Sequence, residues 1–262
     1  MGKEKLTFAQ QVCIKSAGKA MQRAGMIWPG ARIGIAVSGG VDSWVTLEVL
    51  RRRQRITPFH YDILAIHLNP GFDTGNHWPL VEYLKKYGVA GHVEITDYGP
   101  RGHSDENRKN SPCFYCAMLR RTRLFELCRQ YRLTHLAFGH NADDLVTTFF
   151  MNMVQNGRVD GMKMADPFFH GELMVIRPLL LVQKADIIRA ARQWGLVVWG
   201  NPCPSAGHSN RQTFHDKVQA LHGGDRMLKK NVFNALCKWQ LEQAENLAAQ
   251  RRQIQGKNPD QK

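Results

Sequence analysis

The stretch IGIAVSGGVDS, residues Ile33 to Ser43, decides the fold. Its first half is a short apolar run of the kind that forms a buried strand, and its second half carries two glycines before a helical pattern. Glycines let the backbone turn tightly and approach a ligand, and the free amides at the start of a helix face an anion with the positive end of the helix dipole behind them. The stretch therefore predicts a strand, a pyrophosphate-binding loop and a helix. The residues expected at the phosphates are Ser38, Gly39, Gly40, Asp42 and Ser43.

Apolar runs alternate with helical patterns beyond that loop. The further strand-like runs are DILAIHL at 62–68, HVEIT at 92–96, THLAFG at 134–139 and LMVIRPL at 173–179. The helical patterns lie at 42–53 and 77–87, from about 112, from about 142, and at 184–194. This order predicts an α/β protein with a parallel sheet and helices on both faces.

The chain divides along its length into three predicted segments. Residues 1–30 form an N-terminal helical segment, whose helix at about 7–25 is expected to dock on the protein or to face a partner. Residues 31–200 form the α/β domain. Residues 201–262 comprise a loop around Cys203 and a basic C-terminal helical segment.

The charge balance predicts a polyanionic partner. There are 36 Lys and Arg against 22 Asp and Glu, which gives a net charge of +14. Such an excess concentrates nucleic acid around a protein. The chain shows no signal-peptide pattern and no apolar run of the ~18 residues that a membrane span requires, so we expect a cytoplasmic protein with no membrane partner. Its six cysteines would then lie in a reducing compartment, where metal ligation or catalysis is more common than disulfides.

Three cysteines form a candidate metal site. Cys113 and Cys116 open a helical pattern after Ser111, a suitable helix cap, and Cys203 lies between two prolines. The CxxC spacing fits a redox pair, half of a zinc site or two ligands of an iron-sulfur cluster equally well. His208 could complete a Cys3His zinc site, whereas three cysteines alone would leave one iron of a 4Fe-4S cluster open to an external sulfur. The remaining cysteines lie in helical patterns and are expected to be buried apolar side chains: Cys13, Cys128 and Cys237.

A second strand-to-helix turn, GHNADD at 139–144, carries paired carboxylates. Open α/β sheets bind their ligands at the carboxyl ends of the strands, where this turn lies. We expect one of Asp143 and Asp144 to cap the following helix and the other to act as an acid, a base or a metal ligand.

Taken together, five segments resemble the tRNA 2-thiocytidine synthetase family of the N-type ATP pyrophosphatases. They are SGGVDS at 38–43, PCFYCAMLRR at 112–121, GHNADD at 139–144, IRPL at 176–179 and Pro202-Cys203. The resemblance spans about residues 30–235 and implies an adenine nucleotide α-hydrolase-like fold, related to the Rossmann fold. Around Cys203 the chain has PCPSAGHS, where close members commonly carry a second cysteine.

The resemblance also implies an activity. In that family ATP activates the C2 carbonyl of a tRNA pyrimidine, which is cytidine 32 in the closest members, and sulfur bound to the open iron replaces the oxygen. The implied cofactors are ATP, Mg²⁺ and a 4Fe-4S cluster held by Cys113, Cys116 and Cys203. The implied partners are tRNA, a sulfur donor such as a cysteine desulfurase or sulfide, and a second copy of the chain in a homodimer.

Further residue roles follow from the resemblance. Asp144 is favoured over Asp143 as the catalytic carboxylate, and Asp42 is expected to act through Mg²⁺ or water. The residues matching the adenosine and nucleotide positions are Ala36, His67 and Gly139. His67 could equally be a hydrogen-bonded histidine at a strand end. The basic residues that could meet tRNA phosphate or ATP, or form a solvated helix face, are Arg120, Arg121 and Arg123. Of these, Arg120 is also expected to be a catalytic residue, together with the paired aspartates.

Several other functions stay open on the sequence alone. A related enzyme could thiolate uridine, or transfer sulfur through a persulfide on Cys113 or Cys203. A ligase with the same pyrophosphate-binding loop (PP-loop) could bind a structural zinc ion through the cysteines and use an amine as its nucleophile. A non-catalytic nucleic-acid-binding module stapled by zinc is disfavoured, because binding alone requires neither SGGVDS nor the paired carboxylates.

Overall fold

The computed structural model describes residues 5–200, 202–207 and 210–256. The strands are β1 (Ala31–Ala36), β2 (Tyr61–Asn69), β3 (Ala90–Ile95), β4 (His135–Ala137), β5 (Ala165–Phe168) and β6 (Leu173–Ile176). They form one six-stranded sheet in the order β3-β2-β1-β4-β6-β5. Neighbouring strands run parallel, except that β5 is antiparallel to β6. The predicted α/β class is confirmed.

Helices follow the strands in the predicted alternation. They are α1 (Phe8–Arg23), α2 (Val41–Arg53), α3 (Trp78–Tyr87), α4 (Tyr98–Gly102), α5 (Pro112–Gln130), α6 (Ala142–Asn156), α7 (Lys184–Gln193), α8 (Asn210–His222) and α9 (Arg226–Gly256). A short 3-10 turn, Phe169–Gly171, joins β5 to β6. Each helix predicted from the sequence is present within one or two residues of its expected start.

The two faces of the sheet bury separate clusters. On one face, Leu124 and Leu127 of α5 pack with Ile66 and Leu68 of β2. On the other face, Ile33 and other side chains of β1 pack with residues from α1, α2, α3 and α6. Because the parallel strands share one direction, their carboxyl ends and the loops that follow them meet at a single edge of the sheet.

The flanking helical segments share this core. Cys13 of α1 lies in a buried cluster with residues of α2 and α7, so α1 docks on the protein, which is one of its two predicted roles. That α1 faces a partner stays a prediction. Phe214 and Val218 of α8 and Leu236 of α9 join the main cluster. The segment boundaries at residues 30 and 200 stay a prediction.

Two elements carried no clear signal in the sequence. Strand β5 contains Pro167, which cannot donate to a ladder and is therefore tolerated at the edge that β5 occupies. Helix α4 has the sequence YGPRG, in which glycine and proline disfavour a helical prediction.

The turn after β5 holds Phe169 and His170 at φ values of 50° and 55°, a left-handed conformation that few non-glycine residues adopt.

Candidate active site

The loop after β1 has the geometry of an anion-binding loop. Gly40 caps α2 with an extended backbone, and Gly39 has a φ of 90°, which favours glycine. The Ser43 hydroxyl donates to the Gly40 carbonyl oxygen at 2.8 Å and accepts from the Ser38 amide at 3.1 Å. These bonds hold the loop closed around the free amides at the start of α2, which can face phosphate oxygens.

Gly139 lets a second turn touch this loop. A Cβ atom at Gly139 would lie 2.7 Å from the backbone carbon of Asp42 and 2.7 Å from the backbone nitrogen of Ser43. Real Cβ atoms do not approach backbone so closely. Glycine is therefore required here for the end of β4 to pack on the phosphate loop.

Asp42 is held by two partners. Its carboxylate accepts a hydrogen bond from the Asn141 side-chain amide at 3.1 Å and pairs with the Lys184 ammonium at the start of α7. Burial raises the pKa of Asp42, although Lys184 acts in the opposite direction. Lys184 was not predicted as a site residue, because its only signal in the sequence is its place at the first position of the helix that follows β6.

The paired carboxylates have different surroundings. Asn141, and neither aspartate, caps α6: its side chain accepts from the Asp143 and Asp144 amides, so the predicted aspartate cap is wrong. Asp144 accepts from the Asn141 amide at 2.9 Å and from Arg211 of α8 at 3.0 Å. Asp143 lies 3.4 Å from the Lys229 ammonium of α9.

A cavity of about 530 Å³ opens beside the phosphate loop. The polar part of its lining comes from Ser38, Gly40, Asp42, Ser43, Gly139 and Asp144, and the apolar part from Ala36, Ile66, Leu68, Leu124, Phe138 and Val175. Arg120, Arg121 and Arg177 also line the cavity. A lining that combines free amides with apolar side chains suits a nucleotide, whose phosphates and base need those two environments. Asp143 does not line this cavity.

His67 faces a second, smaller cavity of about 270 Å³. This cavity shares Ser38, Gly40 and Arg120 with the larger one, and Trp199 forms part of its wall. The two residues predicted to bind adenosine therefore lie in different cavities, because Ala36 lines the larger cavity and His67 lines the smaller one. Side chains alternate along β2, so Ile66 and Leu68 face one side of the sheet and His67 the other.

The three candidate ligand cysteines converge at the start of α5. Ser111 caps this helix as predicted, accepting from the Phe114 amide at 3.4 Å. The Cys113 sulfur lies 4.0 Å from the Ser205 carbonyl oxygen, which places it against the loop that carries Cys203. The Cys203 sulfur lies 4.0 Å from Nε2 of His103. Burial raises the pKa of Cys116, and the neighbouring Cys203 and Cys113 thiols add to the effect.

The donor set at this site is three thiols. Within the described ranges, no group of three or more Cys, His, Asp or Glu side chains lies close enough together to hold a metal ion. His208, the predicted fourth zinc ligand, lies outside the described residues. The other cysteines are buried or half-buried in helices as expected, and burial raises the pKa of each to about 12: Cys13, Cys128 and Cys237. Thiolates are the usual ligands of iron-sulfur clusters, so the chemistry of these three side chains suits a cluster, although they form no ready-made ligand set in this structure.

The arginines of α5 differ in their contacts. Arg120 follows Cys116 by one helical turn and lines both cavities, so it is not part of a solvated face. Arg121 is exposed at the mouth of the larger cavity. Arg123 pairs with Glu94 and Glu126 at 2.9 Å and 2.8 Å.

A protein-family model identifies the class to which this chain belongs. A family model described as the PP-loop domain matches residues 14–202, and the phosphate loop found here lies within that match. The chain therefore belongs to the PP-loop family of ATP-binding proteins.

Within that class, the chain belongs to the tRNA 2-thiocytidine synthetase family. It is 33% identical over 225 residues to the tRNA-cytidine(32) 2-sulfurtransferase of Syntrophotalea carbinolica, covering 85% of this chain and 86% of that protein. It is 32% identical over 226 residues to the protein of the same name from Geobacter sulfurreducens, with 85% and 88% covered.

Solved structures support the fold. The U34-tRNA thiolase NcsA from Methanococcus maripaludis, solved with its [4Fe-4S] cluster, superposes with a TM-score of 0.69 at 22% identity, covering 89% of this chain and 80% of that one. The NH3-dependent NAD synthetase from Campylobacter jejuni gives a TM-score of 0.51 at 12% identity, covering 98% and 100%. None of the helices described here is both long and apolar enough to cross a bilayer.

Proposed function

We propose that this protein is an ATP-dependent tRNA sulfurtransferase that converts cytidine 32 of tRNA to 2-thiocytidine. The observation that carries the proposal is the position of Arg120. One helical turn separates it from Cys116, and it lines the cavity formed by the phosphate loop. A candidate sulfur site and a candidate ATP site are thereby joined by a single side chain. The names of the relatives supply the substrate.

The proposed reaction has two steps. The O2 atom of the base attacks the α-phosphorus of ATP, and pyrophosphate leaves. A sulfur nucleophile then bonds to C2, and AMP leaves with the former carbonyl oxygen. The amides at the start of α2 would bind the phosphates, and Asp42 would hold Mg²⁺ directly or through water. Asp144 would accept the proton that a hydrosulfide nucleophile loses when its sulfur bonds to C2. Arg120 stabilises the negative charge that develops between the two sites.

The thiols of Cys113, Cys116 and Cys203 would hold a 4Fe-4S cluster. When bound, it would supply one iron without a protein ligand, at which sulfur can be presented. The proposal further includes a cysteine desulfurase or sulfide as sulfur donor, a homodimer, and a cytoplasmic location.

An iron, sulfide and zinc assay on protein purified without oxygen tests the cluster. We expect brown wild-type protein with about four irons per chain, and a loss of colour and iron in Cys203→Ala. Cys237→Ala is the matched control, because Cys237 lies half-buried in α9 and should keep the full iron content. Colourless protein with one zinc, or with no metal after anaerobic reconstitution, would contradict the cluster.

Asp42→Ala separates the ATP site from the thiol site. We expect this variant to lose 2-thiocytidine formation, measured by mass spectrometry of digested tRNA, while it retains the iron content of the wild type. Loss of iron in this variant would contradict the separation of roles. A wild-type protein that forms no 2-thiocytidine on tRNA with ATP and sulfide would refute the proposed function itself.

A further inference from the structure

The smaller cavity lies between the phosphate loop and the segment that leads to Cys203. Gly200 and Trp199 form the wall on the side of that segment, and Ser38 and Gly40 form the wall on the side of the loop. Its volume of about 270 Å³ is just below the ~300–1,000 Å³ of usual small-molecule pockets. It therefore suits a single nucleoside better than a nucleoside triphosphate.

The hydrogen-bonding state of His67 is fixed by its neighbour. Nδ1 of His67 lies 2.7 Å from the Val37 carbonyl oxygen, and a carbonyl oxygen only accepts, so Nδ1 carries the proton. Burial lowers the pKa of His67 to about 4, so the ring is neutral at physiological pH. Nε2 is then an acceptor, and this buried atom contacts no donor within the described part of the chain. The side chain is almost fully buried, with 1% of the residue exposed.

Other groups complete the lining of the cavity. Arg120 brings a guanidinium, which only donates, and its buried Nε atom has no acceptor among the described residues. Trp199 lies with its ring edge-on to His67, 5.7 Å between centroids. Its backbone amide donates to the Gly39 carbonyl oxygen at 3.2 Å, which fixes it against the phosphate loop. The cavity thus offers an acceptor, a cationic donor and an aromatic ring.

We propose, on the basis of the function proposed above, that this cavity receives the target base and that His67 selects cytidine over uridine. The pairing edge of cytosine carries an exocyclic amine, which donates, beside N3 and O2, which accept. The amine matches His67 Nε2, and the two acceptors match Arg120. Uracil has an oxygen in place of the amine, and its lone pairs would face the lone pair of Nε2.

The position of the cavity agrees with the chemistry. Ser38, Gly40 and Arg120 line both cavities, so a base in the smaller one and ATP in the larger one meet at the phosphate loop. Sequence-specific RNA readers commonly take unpaired bases out of a loop, stack them on aromatic rings and bond to their pairing edge. Trp199 and His67 are placed to provide these two contacts.

The test compares three tRNAs that differ only at the target base: cytidine, uridine, and the pyrimidin-2-one that lacks the 4-amine of cytidine. For the wild type we expect kcat/KM to fall about tenfold to a hundredfold on the pyrimidin-2-one, because a buried acceptor is left without a donor. On uridine it should fall at least as far, because the 4-oxygen would face that acceptor. In His67→Phe, the preference for cytidine over pyrimidin-2-one should shrink by about the factor expected for the wild type, and any preference that remains reflects the intrinsic reactivity of the two bases. The affinity of this variant for Mg-ATP, measured by calorimetry, should equal that of the wild type.

Two outcomes would overturn the inference. One is a wild type that thiolates the cytidine and pyrimidin-2-one tRNAs at the same rate, a result that needs no variant to fold. The other is a His67→Phe variant that binds Mg-ATP at least tenfold more weakly but keeps the preference for the 4-amine, as expected if His67 recognises adenosine. Both differ from failure of the proposed function, in which the wild type thiolates none of the tRNAs.

Discussion

Lys184 places a positive charge at the candidate phosphate site. Asp42 places a carboxylate in the loop where the ATP phosphates would bind, and Lys184 pairs with that carboxylate. An unpaired carboxylate beside phosphates would repel them. Lys184 therefore makes the loop suitable for an anion.

Replacing Lys184 with methionine should weaken ATP binding. Lys184→Met keeps most of the side-chain volume and removes the charge, so we expect the Kd for Mg-ATP to rise about tenfold, the scale of one lost ionic contact. Calorimetry with Mg-ATP measures the change. Lys184→Arg is the control and should bind within a factor of about three of the wild type. An unchanged Kd in Lys184→Met would show that the pair has no role in ATP binding.

At the scale of single elements, the start of α6 combines structural and functional roles. Asn141 caps the helix through its side-chain oxygen and donates to Asp42 through its side-chain nitrogen. Asp144 closes the reciprocal half of this capping box while it faces the larger cavity. The helix start thus fixes the orientation of both a phosphate-loop carboxylate and the proposed catalytic carboxylate.

Substitutions at Asn141 can separate the two roles. Asn141→Ala should lower the free energy of unfolding by roughly 1 kcal/mol, because the amides of the first turn lose their acceptor. Asn141→Ser should keep most of that stability, since serine also caps helices, but it is too short to replace the bond to Asp42. Denaturation in urea measures the stability and calorimetry measures Mg-ATP binding. Equal losses of stability in both variants would contradict the capping role.

Features with local sequence signals could be predicted, whereas features that depend on tertiary contacts could not. The SGGVDS loop, the alternating runs and the Ser111 cap were predicted because their signals are local. Strand β5 escaped prediction because its four residues include proline and its pairing with β6 is a tertiary contact. Lys184 and Arg211 were missed because their roles depend on carboxylates far away in sequence, at Asp42 and Asp144. Ala36 and His67 lie in different cavities because Ala36 pairs with Ile66, and the side chain of the next residue, His67, points to the other face of the sheet. This alternation could have been predicted from the sequence.

At the scale of the whole molecule, several histidines tie stability to pH. Burial lowers the pKa of His67 and His135 to about 4 and that of His140 to about 3, against about 6.5 for an unfolded histidine. Between pH 6.5 and 4 the unfolded chain therefore binds more protons at these sites than the folded chain does. Stability from these residues is complete above pH 6.5 and is lost as the pH falls through this window.

His135 allows this acid sensitivity to be measured at one position. It has no exposed surface and packs against Trp28, with 4.1 Å between ring centroids. Between pH 6.5 and pH 5, the wild type should lose about 2 kcal/mol more unfolding free energy than His135→Gln, because glutamine does not titrate. Urea denaturation at the two pH values measures the change in unfolding free energy for each protein. The contributions of the carboxylates cancel when the two changes are compared, because both proteins contain the same carboxylates. His135→Gln should start from a lower stability at pH 7, since it replaces a packed ring. Parallel pH profiles for the two proteins would show that His135 has the same pKa in the folded and unfolded states and would contradict its lowered pKa.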